Sequence, residues 1–504
     1  IRDFCLSRGL GDVYKRQKVY ILSILFSLSF SLVWSKEYNA SFFGIKSDGV
    51  TLNTNSIQTG INYIHKEGGG VLVFNVGRYL TGSIELKSNV AIQLKEGAVL
   101  VGSLNPYDYN MEGPCYSMIR AINQKNIAIY GKGIIDAQGR QVSYNIIDQV
   151  HKGFIKDPLE NDRPRRPRGI HFKQCRGITI EGITIKNTCD WTQEYEECDS
   201  LWVRGITVDN KAYWNNDGID IVDCQNVLIE NSFFDSSDDA VCLKSHKTET
   251  ACRNVVIRNC TMRSSANGIK LGTMTVGGYE NIRIINNKIY DTYRSALTIA
   301  TPDGGYARNI VVDSLQAYNT GNAIFLRIGN RTHSNKIGTM DSILISNLYV
   351  EIPEGKPDAG YEYEGPIEHM PRNISPASII GLKGHPITHV TLKNVVINHP
   401  GAGKPEIAKV GMTPEELDRV PELADSYPEF SCFKELPAWG LYLRHVERII
   451  LENVTFIARK KDYRPAIVLD DAHHVSMSKM KIQEPGKKKQ QIHICLLYTS
   501  PSPR

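Results

Sequence analysis

Three aspartates near the middle of the chain are the residues best suited to chemistry. Asp217 lies in the segment NNDGID (215–220), and Asp238 and Asp239 are adjacent in SSDDAVCLKS (236–245). Glycoside hydrolysis needs one protonated carboxyl to protonate the leaving oxygen and one carboxylate to activate water or to attack. Carboxylates held together repel each other, which raises the pKa of at least one and keeps it protonated near neutral pH. The trio therefore predicts acid–base hydrolysis if the fold brings it to one place.

A repeat of short strands would bring the aspartates together. Runs rich in Val and Ile, most of them ended by Asn, recur as GITVDN (205–210), NVLIEN (226–231), NVVIRN (254–259) and NIRIIN (281–286). Equivalent residues of successive runs are 21 to 28 positions apart, with no helix-length pattern between them. Such spacing predicts an all-β parallel β-helix, and counting the runs gives about ten coils. An antiparallel β-sandwich is the alternative.

The spacing also predicts which side chains meet, since residues one coil apart stack about 4.8 Å from each other. Asp217 and Asp238 are 21 positions apart, Asp239 and Asn267 are 28 apart, and Asn267 and Arg294 are 27 apart. Four successive coils should therefore carry the trio on one face. Three cationic side chains should lie beside it: Lys244, Lys270 and Arg294.

At these residues the chain resembles glycoside hydrolase family 28, the polygalacturonase family. The family's Asn-Thr-Asp-Gly segment appears as Asn215-Asn216-Asp217-Gly218, and its Asp-Asp pair as Asp238-Asp239. The segment 42–103 is also similar, and the resemblance spans roughly residues 40–485. It implies a divergent bacterial member with a right-handed β-helix and an inverting mechanism. In that mechanism Asp238 is the general acid, and Asp217 with Asp239 forms the base pair that positions water.

Two departures from the family pattern bear on the substrate. Ala266-Asn267-Gly268 stands where the family usually has Gly-His-Gly, so the His that assists the Asp pair is missing. Arg294-Ser295-Ala296 stands where it usually has Arg-Ile-Lys, the Arg and Lys that hold the uronate carboxylate in polygalacturonases. Lys270 offers a displaced positive charge. The resemblance thus implies an α-glycan hydrolase more firmly than it implies polygalacturonate.

The leading interpretation is a glycosidase that cleaves α-glycosidic bonds in a pectin-like or other acidic polysaccharide, or in an oligosaccharide from it. Neither a cofactor nor a metal is expected, because no CxxC pair or His/Cys cluster has zinc spacing. A polysaccharide lyase using Ca²⁺ and an Arg or Lys base, and a noncatalytic glycan-binding β-helix, are the alternatives. The exact glycan and the endo or exo mode stay open. The candidate substrate-binding residues are Asn216, Lys244, Asn267, Lys270, Arg294 and Trp191.

Other segments are expected to frame the site and the fold. Ile57, Ile61 and Ile64 have helical spacing, which predicts a helix that caps the open N-terminal end of the β-helix, with Asn and Thr available as helix caps. Two interruptions rich in Pro and Gly, 351–386 and 399–438, are candidate groove walls. Their aromatic residues are further possible sugar platforms beside Trp191: Tyr361, Tyr363 and Trp439.

The cysteines predict thiols rather than a disulfide framework. Nine lie between the signal segment and residue 495, an odd number. Most of them adjoin strand runs and are expected to fill the interior. Cys189 and Cys198 flank DWTQEYEE and are the one pair that could bond.

The two ends of the chain are interpreted as artefacts. Residues 1–17 include SRGLGDVYKRQ, residues 495–504 are CLLYTSPSPR, and a back-translation of the second is the reverse complement of part of a back-translation of the first. Both resemble translated transposon-adapter sequence. Leaving them out removes five basic and two acidic residues and lowers the formal net charge from +5 to +2, which gives no reason to expect nucleic acid.

The segment 18–35 is expected to be a signal peptide. It has Lys18, an apolar run over 20–33 and the small residue Ser35, whereas a membrane anchor is the alternative. Residues 36–494 are then a single β-helix glycoside hydrolase domain. A monomer that is secreted, periplasmic or on the outer cell surface is expected, without a stable membrane span after cleavage.

Overall fold

The computed structural model describes residues 36–109, 116–154, 166–355, 357, 375–405, 411–486 and 491–495. Within these ranges the helices are α1 (Thr54–Lys66), α2 (Gly139–His151) and α3 (Pro414–Leu417), with 3-10 turns at Ala40–Phe43, Pro106–Asp108 and Phe430–Phe433. The strands are β1 (Glu37–Asn39), β2 (Gly70–Phe74), β3 (Gly77–Thr81), β4 (Ile84–Glu85), β5 (Val90–Leu94), β6 (Ala98–Gly102), β7 (Ser117–Ile122), β8 (Lys125–Gly131), β9 (Ile134–Asp136), β10 (Arg168–Lys173), β11 (Arg176–Glu181), β12 (Thr184–Lys186), β13 (Gln193–Glu196), β14 (Asp199–Arg204), β15 (Thr207–Asn210), β16 (Ile219–Val222), β17 (Gln225–Glu230), β18 (Phe233–Ser236), β19 (Val241–Ser245), β20 (Cys252–Arg258), β21 (Thr261–Ser264), β22 (Ile269–Thr275), β23 (Gly278–Thr301), β24 (Tyr306–Ile328), β25 (Thr339–Glu351), β26 (Ala377–Ile380), β27 (Ile387–His399), β28 (Leu441–Ala458), β29 (Ile467–Ser478), β30 (Lys481–Gln483) and β31 (Ile492–Cys495).

The strands wind into three parallel sheets. A typical short strand pairs in parallel with the strand three places later, so β11 pairs with β14, β12 with β15 and β13 with β16. We call the sheets containing these pairs the first, second and third sheets, in the order in which each coil visits them. From β23 onward some strands turn a corner and contribute to two or three sheets. The predicted parallel β-helix is confirmed.

The β-helix is longer than the repeat count suggested. From β2 to β29 the first sheet has thirteen strand positions within the described residues, against the ten or so coils expected. The runs of β5, β8, β14 and β29 are not followed by Asn, so counting the Asn-ended runs missed these strands.

The interior is filled by stacked aliphatic side chains. Ile178, Leu201, Val227 and Val255 occupy equivalent positions on neighbouring strands of the first sheet, and each is no more than 1% exposed. Alternate residues of a strand point to opposite faces, so each short Val/Ile run supplies the core with every second residue. Continuous burial along the axis is the main force that holds the coils together.

Asparagine ladders mark the corners. Asn226, Asn254, Asn281 and Asn309 all have positive φ, between 53° and 57°, and lie one coil apart. Their amide side chains bond to each other in series over 3.1, 3.1 and 2.5 Å. Asn tolerates this left-handed conformation better than most residues, which explains its recurrence in the sequence.

Helix α1 is the predicted cap. Ile57, Ile61 and Ile64 are fully buried and pack against the first strands of the β-helix. The expected side-chain helix cap is wrong. Asn53 makes no such bond, because its side-chain oxygen accepts instead from the backbone amide of Lys46 over 2.7 Å. None of the helices in the described ranges has the length and apolar character to cross a bilayer.

The described cysteines are all thiols, and most are buried. The possible Cys189–Cys198 disulfide is therefore wrong. The Cys189 thiol donates to the carbonyl of Gly139 over 3.3 Å before strand β13, whereas the Cys198 thiol donates to the carbonyl of Phe172 over 3.3 Å after this strand. Geometry within the coil separates two residues that are close in sequence.

Candidate active site

The aspartate trio lies at the corner where each coil passes from the second sheet to the third. The Gly218 amide donates to the carbonyl of Asp239 over 2.9 Å, so the coils of Asp217 and Asp239 are adjacent. The Ala240 amide donates to Asn267 over 2.9 Å, which adds the next coil. One carboxyl oxygen from each of the three aspartates lies within 4.8 Å of the others. The structure thus brings the three aspartates together as predicted, but the predicted match of Asp217 with Asp238 is wrong, since the register of Ile219 with Val241 places Asp217 opposite Asp239, 22 positions away.

Glycine at position 218 permits this close stacking. A Cβ added to Gly218 would lie 2.4 Å from the carbonyl oxygen of Ala240, well inside van der Waals contact. Any larger residue would push the coil of Asp217 away from that of Asp239. This steric requirement explains why a glycine follows Asp217 in the motif.

Asp239 is held as a carboxylate by two neighbours. Lys270 Nζ lies 2.9 Å from Oδ2, and Asn267 donates to Oδ1 from its side chain over 2.7 Å and from its backbone over 3.0 Å. Burial acts to raise the pKa of Asp239, but the charges of Lys270, Arg294 and Lys244 outweigh it and lower this pKa to about 2. Asp239 is therefore ionised over the whole physiological range.

Asp238 has the opposite electrostatic character. Burial, followed by the negative charge of Asp239, raises the pKa of Asp238. Its side chain is half-buried and accepts bonds from the Asp239 amide over 2.9 Å and the Asn215 amide group over 3.4 Å. Neighbours in sequence thus differ in the direction of their pKa shifts, as an acid and a base on one site should.

Asp217 lies close enough to Asp220, three positions later in the chain, for the two carboxyls to affect each other's pKa. Burial and then the charges of Asp220 and Asp238 raise the pKa of Asp217 well above its usual range. Burial also raises the pKa of Asp220 to about 7, against the influence of Lys244. Lys244 Nζ bonds to Asp220 and lies 3.3 Å from Asp217 Oδ2.

Register explains why Asp220 belongs to the site. The outward positions of the third sheet align Glu194 with Asp220, Asp220 with Cys242, and Cys242 with Lys270. A polar column therefore runs beside the trio. These residues are one coil apart, so the coil spacing could have placed them together from the sequence. The spacing was used there only to align the turn residues.

Asn216 and Asn267 lie within the wall of the site. Asn216 is fully buried, donates to the carbonyls of Thr188 and Asp190, and accepts from the Tyr213 amide. Asn267 is 1% exposed and holds Asp239. Their predicted role in substrate binding stays a prediction that this burial does not favour. Asn267 positions the Asp239 carboxylate, whereas Asn216 joins backbone groups of two neighbouring coils.

Trp191 remains the candidate aromatic platform. It is half-buried, and its ring centroid lies 4.4 Å from Arg168 Cζ and 4.3 Å from Lys244 Nζ. The proposed platform at Trp439 is wrong, because this ring is fully buried and packs on Phe456 and His399. Tyr361 and Tyr363 lie outside the described residues.

A segment from a distant part of the chain also reaches the site. Residues 411–438, here called the covering segment, leave the β-helix at the same second-to-third-sheet corner as the trio, between β27 and β28. Its Tyr427 accepts a bond from Lys270 Nζ over 2.9 Å, and its Glu429 lies 3.1 Å from Arg294 Nε. The sequence indicated this segment as a wall, but nothing periodic singled out the two residues.

In the part of the chain that the structure describes, three groups of potential metal ligands surround the site, and each has a cationic side chain beside it. They are Asp217 with Asp238 and Asp239, Asp217 with Asp220 and Cys242, and His171 with Glu194 and Glu196. Lys270 contacts the first group, Lys244 the second, and Arg168 and Lys173 the third. The positive charges that balance these carboxylates are thus supplied by the protein.

Comparison with known proteins agrees with this geometry. The profile "Glycosyl hydrolases family 28" matches residues 71–308. The "Probable polygalacturonase" of Vitis vinifera is 26% identical, over 84% of this chain and 88% of its own. The "Exo-poly-alpha-D-galacturonosidase" of Dickeya chrysanthemi is 25% identical over 55% and 54%. The fold is similar to that of an exopolygalacturonase from Thermotoga maritima, 21% identical, with 87% of this chain and 96% of that one covered and a TM-score of 0.65. The chain therefore belongs to glycosyl hydrolases family 28 and is a glycoside hydrolase.

Proposed function

We propose that this glycoside hydrolase cleaves α-glycosidic bonds of a pectin-like polysaccharide, or of an oligosaccharide from it, with inversion. The observation that carries the proposal is the pair of adjacent carboxyls with opposite pKa shifts, raised at Asp238 and lowered at Asp239. Such a pair supplies an acid and a base at the same pH.

Asp238 is the general acid. Its raised pKa keeps a proton available, and its half-buried carboxyl is the most exposed of the three. That proton passes to the glycosidic oxygen as the bond to the anomeric carbon breaks, and Asp238 is left ionised.

Asp239 is the base that takes the proton from the attacking water. Its lowered pKa keeps it ionised, and Lys270 and Asn267 fix its direction. Asp217, whose pKa is raised, holds the same water by a hydrogen bond rather than as a second full base. The resemblance assigns the base role to Asp217 and Asp239 together, whereas here the two residues have different roles.

Inversion rests on the family resemblance and not on carboxyl separation. The oxygens of the trio lie within 4.8 Å of one another. Inverting enzymes usually separate the two carboxyls by roughly 6.5–9.5 Å and retaining enzymes by roughly 5–5.5 Å. The stereochemistry must therefore be measured.

Proton NMR of a reaction on oligogalacturonides tests the proposal. The first product formed should be the β-anomer, since an α-bond is cleaved with inversion. An α-anomer would indicate a retaining enzyme. Unsaturated sugars would indicate a lyase, and binding without any product would indicate a glycan-binding protein.

We further propose that the protein is exported and acts as a monomer in the periplasm, at the cell surface or outside the cell. Support comes from the apolar run 20–33 after Lys18, which lies outside the described residues, and from the polymeric nature of the proposed substrate. Fractionation of the native host, with sizing of the exported protein, tests both points.

A further inference from the structure

Among the described residues, the five cationic side chains around the trio are each ion-paired within the protein. Arg166, which donates to Asn215, lies 3.9 Å from Asp190. Lys244 bonds to Asp220, and Lys270 lies 2.9 Å from Asp239. Arg168 bonds to Glu194, and Arg294 Nε lies 3.1 Å from Glu429 Oε2. A substrate carboxylate would have to compete with a protein carboxylate for any of these charges.

The charge balance of the site is not positive. Within the described ranges, five cations (Arg166, Arg168, Lys244, Lys270 and Arg294) face seven carboxyls: Asp190, Glu194, Asp217, Asp220, Asp238, Asp239 and Glu429. Even with two of these carboxyls protonated, the net charge of the group is zero. Placing a further carboxylate there means removing its water without an uncommitted cation to replace it.

Glu429 is held against Arg294 by the packing of the covering segment. Its side chain is 8% exposed, and it precedes the 3-10 turn Phe430–Phe433. That turn belongs to an apolar cluster joining the covering segment to the β-helix, whose members include Leu417, Val420, Phe430, Phe433, Phe325, Ile380 and Tyr442. Glu429 is therefore a fixed part of the wall.

We propose that Glu429 makes the sugar subsite at Arg294 selective for a neutral sugar residue. The Glu429 carboxylate lies 3.1 Å from Nε of the guanidinium that would otherwise bind a uronate carboxylate in a bidentate manner, and its negative charge disfavours a second carboxylate there. The paired groups remain able to bond to sugar hydroxyls, since the carboxylate accepts and the guanidinium donates. This deepens the proposed function and rests on it, and the acidic residues of the polymer then bind outside this subsite.

The test compares oligogalacturonides, the acidic oligosaccharide, with oligosaccharides of the same length that carry galactose in place of the one galacturonate bound at this subsite, the neutral oligosaccharide. Wild type is expected to prefer the neutral oligosaccharide in kcat/KM. Glu429→Gln keeps the shape and removes the charge, so kcat/KM on the acidic oligosaccharide should rise about tenfold or more, as expected for a newly available charge-assisted bond. The neutral substrate should change by less than about threefold. Adding Arg294→Gln to Glu429→Gln should abolish the gain.

A matched control is Glu422→Gln. Glu422 lies in the same covering segment and pairs with Arg444 over 2.9 Å, away from the trio. It removes a comparable ion pair without changing the charge at Arg294, so the ratio of the two kcat/KM values should stay at the wild-type value. An equal change in that ratio in both variants would attribute the effect to a loosened segment and overturn the proposal.

Binding separates this proposal from the proposed function. Calorimetry with Asp238→Asn gives the affinities for both oligosaccharides whether or not hydrolysis occurs. Tighter binding of the acidic oligosaccharide by a protein that retains Glu429 overturns the selectivity, even if Glu429→Gln does not fold. Tighter binding of the neutral one supports it, even if the wild type cleaves neither.

Discussion

At the scale of single residues, the site works by giving chemically identical side chains different surroundings. Asp238 and Asp239 are neighbours in the chain, yet only Asp239 contacts Lys270 and Asn267. The resemblance and the coil spacing identified both aspartates from the sequence. Their division of roles was not visible there, because it depends on which side of the corner each carboxyl faces.

Asp238→Asn is expected to lower kcat by about 10²- to 10⁴-fold, because an amide cannot protonate the leaving oxygen. Folding should be unaffected, as measured by circular dichroism. Activity should recover in part on a substrate whose leaving group needs no proton, such as an aryl glycoside with an acidic phenol. Near-wild-type activity on an ordinary oligosaccharide would assign the acid role to another residue.

Lys270→Met is expected to shift the acidic limb of the kcat/KM profile to higher pH. Lys270 lowers the pKa of Asp239, so removing its charge raises that pKa and leaves less of the base ionised in acid. A shift of about one pH unit or more is expected for loss of an opposite charge at this distance. Lys247→Met is the control, because Lys247 pairs with Glu197 on the surface. An unmoved acidic limb would show that Asp239 is not the base.

At the scale of elements, the corners and the covering segment differ in how far sequence predicts them. Val/Ile runs ended by Asn predicted the strands and the corners, because a left-handed corner residue and an inward aliphatic stack both recur once per coil. The covering segment has no such period. Its docking depends on side chains far apart in sequence, so its position and the contact between Glu429 and Arg294 could not be predicted.

Docking of the covering segment is expected to depend on pH through His445. This residue bonds to Glu422 of the covering segment over 3.0 Å and to Asp471 of β29 over 2.5 Å. Burial acts to lower the pKa of His445, but these bonds outweigh it and raise the pKa above 6.5 despite the charge of Arg444. For Glu422 and Asp471, burial acts to raise the pKa and the bond to His445 acts to lower it. The net result is a lowered pKa for both carboxyls.

The directions of these three pKa shifts define the pH range in which the covering segment is docked most stably. The raised pKa of His445 stabilises docking fully below about 6.5, and this contribution is lost as pH rises through the folded-state value. The lowered pKa values of Glu422 and Asp471 stabilise docking above about pH 4.5, and this stabilisation is lost as the pH falls through their folded-state pKa values. Hydrogen-exchange protection factors over 411–438 should therefore be greatest between about pH 5 and 6.5. His445→Gln should remove the decline above that window, whereas equal protection of wild type at pH 6 and pH 9 would contradict the mechanism.

At the scale of the whole molecule, one continuous interior runs through all the coils. The fold class could be predicted because the same pattern repeats, whereas the number of coils was underestimated where the pattern lacks its terminal Asn. Several cysteines contribute to this interior in successive coils, including Cys175, Cys198, Cys224 and Cys252. Their thiols report whether the coils open together.

Thiol labelling is expected to need unfolding of the β-helix. The thiols of Cys175, Cys189, Cys198, Cys224, Cys242, Cys252 and Cys260 are at most 1% exposed. Burial raises the pKa of Cys189 and of Cys252 to about 12, so little reactive thiolate forms. In native buffer these residues should resist iodoacetamide, and in rising denaturant they should become modified together, as read by mass spectrometry of their peptides. Cys432, half-buried in the covering segment, should react earlier, and modification of the coils one after another would show that they unfold separately.

The exit of the covering segment between β27 and β28 has a consequence for how this molecule can be altered by recombination. Strand β27 pairs directly with β28 in unbroken register from Ile387 to His399, apart from the corner residues, so the coils meet as if nothing were inserted between them. The groups that cut the bond are encoded at 217–239, and the group that we propose chooses the sugar is encoded near 429. Two crossovers in the gene, one on each side of the covering segment, would exchange the second group and leave the first intact. If our proposal holds, such an exchange changes the sugar preference without altering the groups that cut the bond, provided that the β-helix keeps the apolar residues that contact the segment, such as Phe325 and Tyr442.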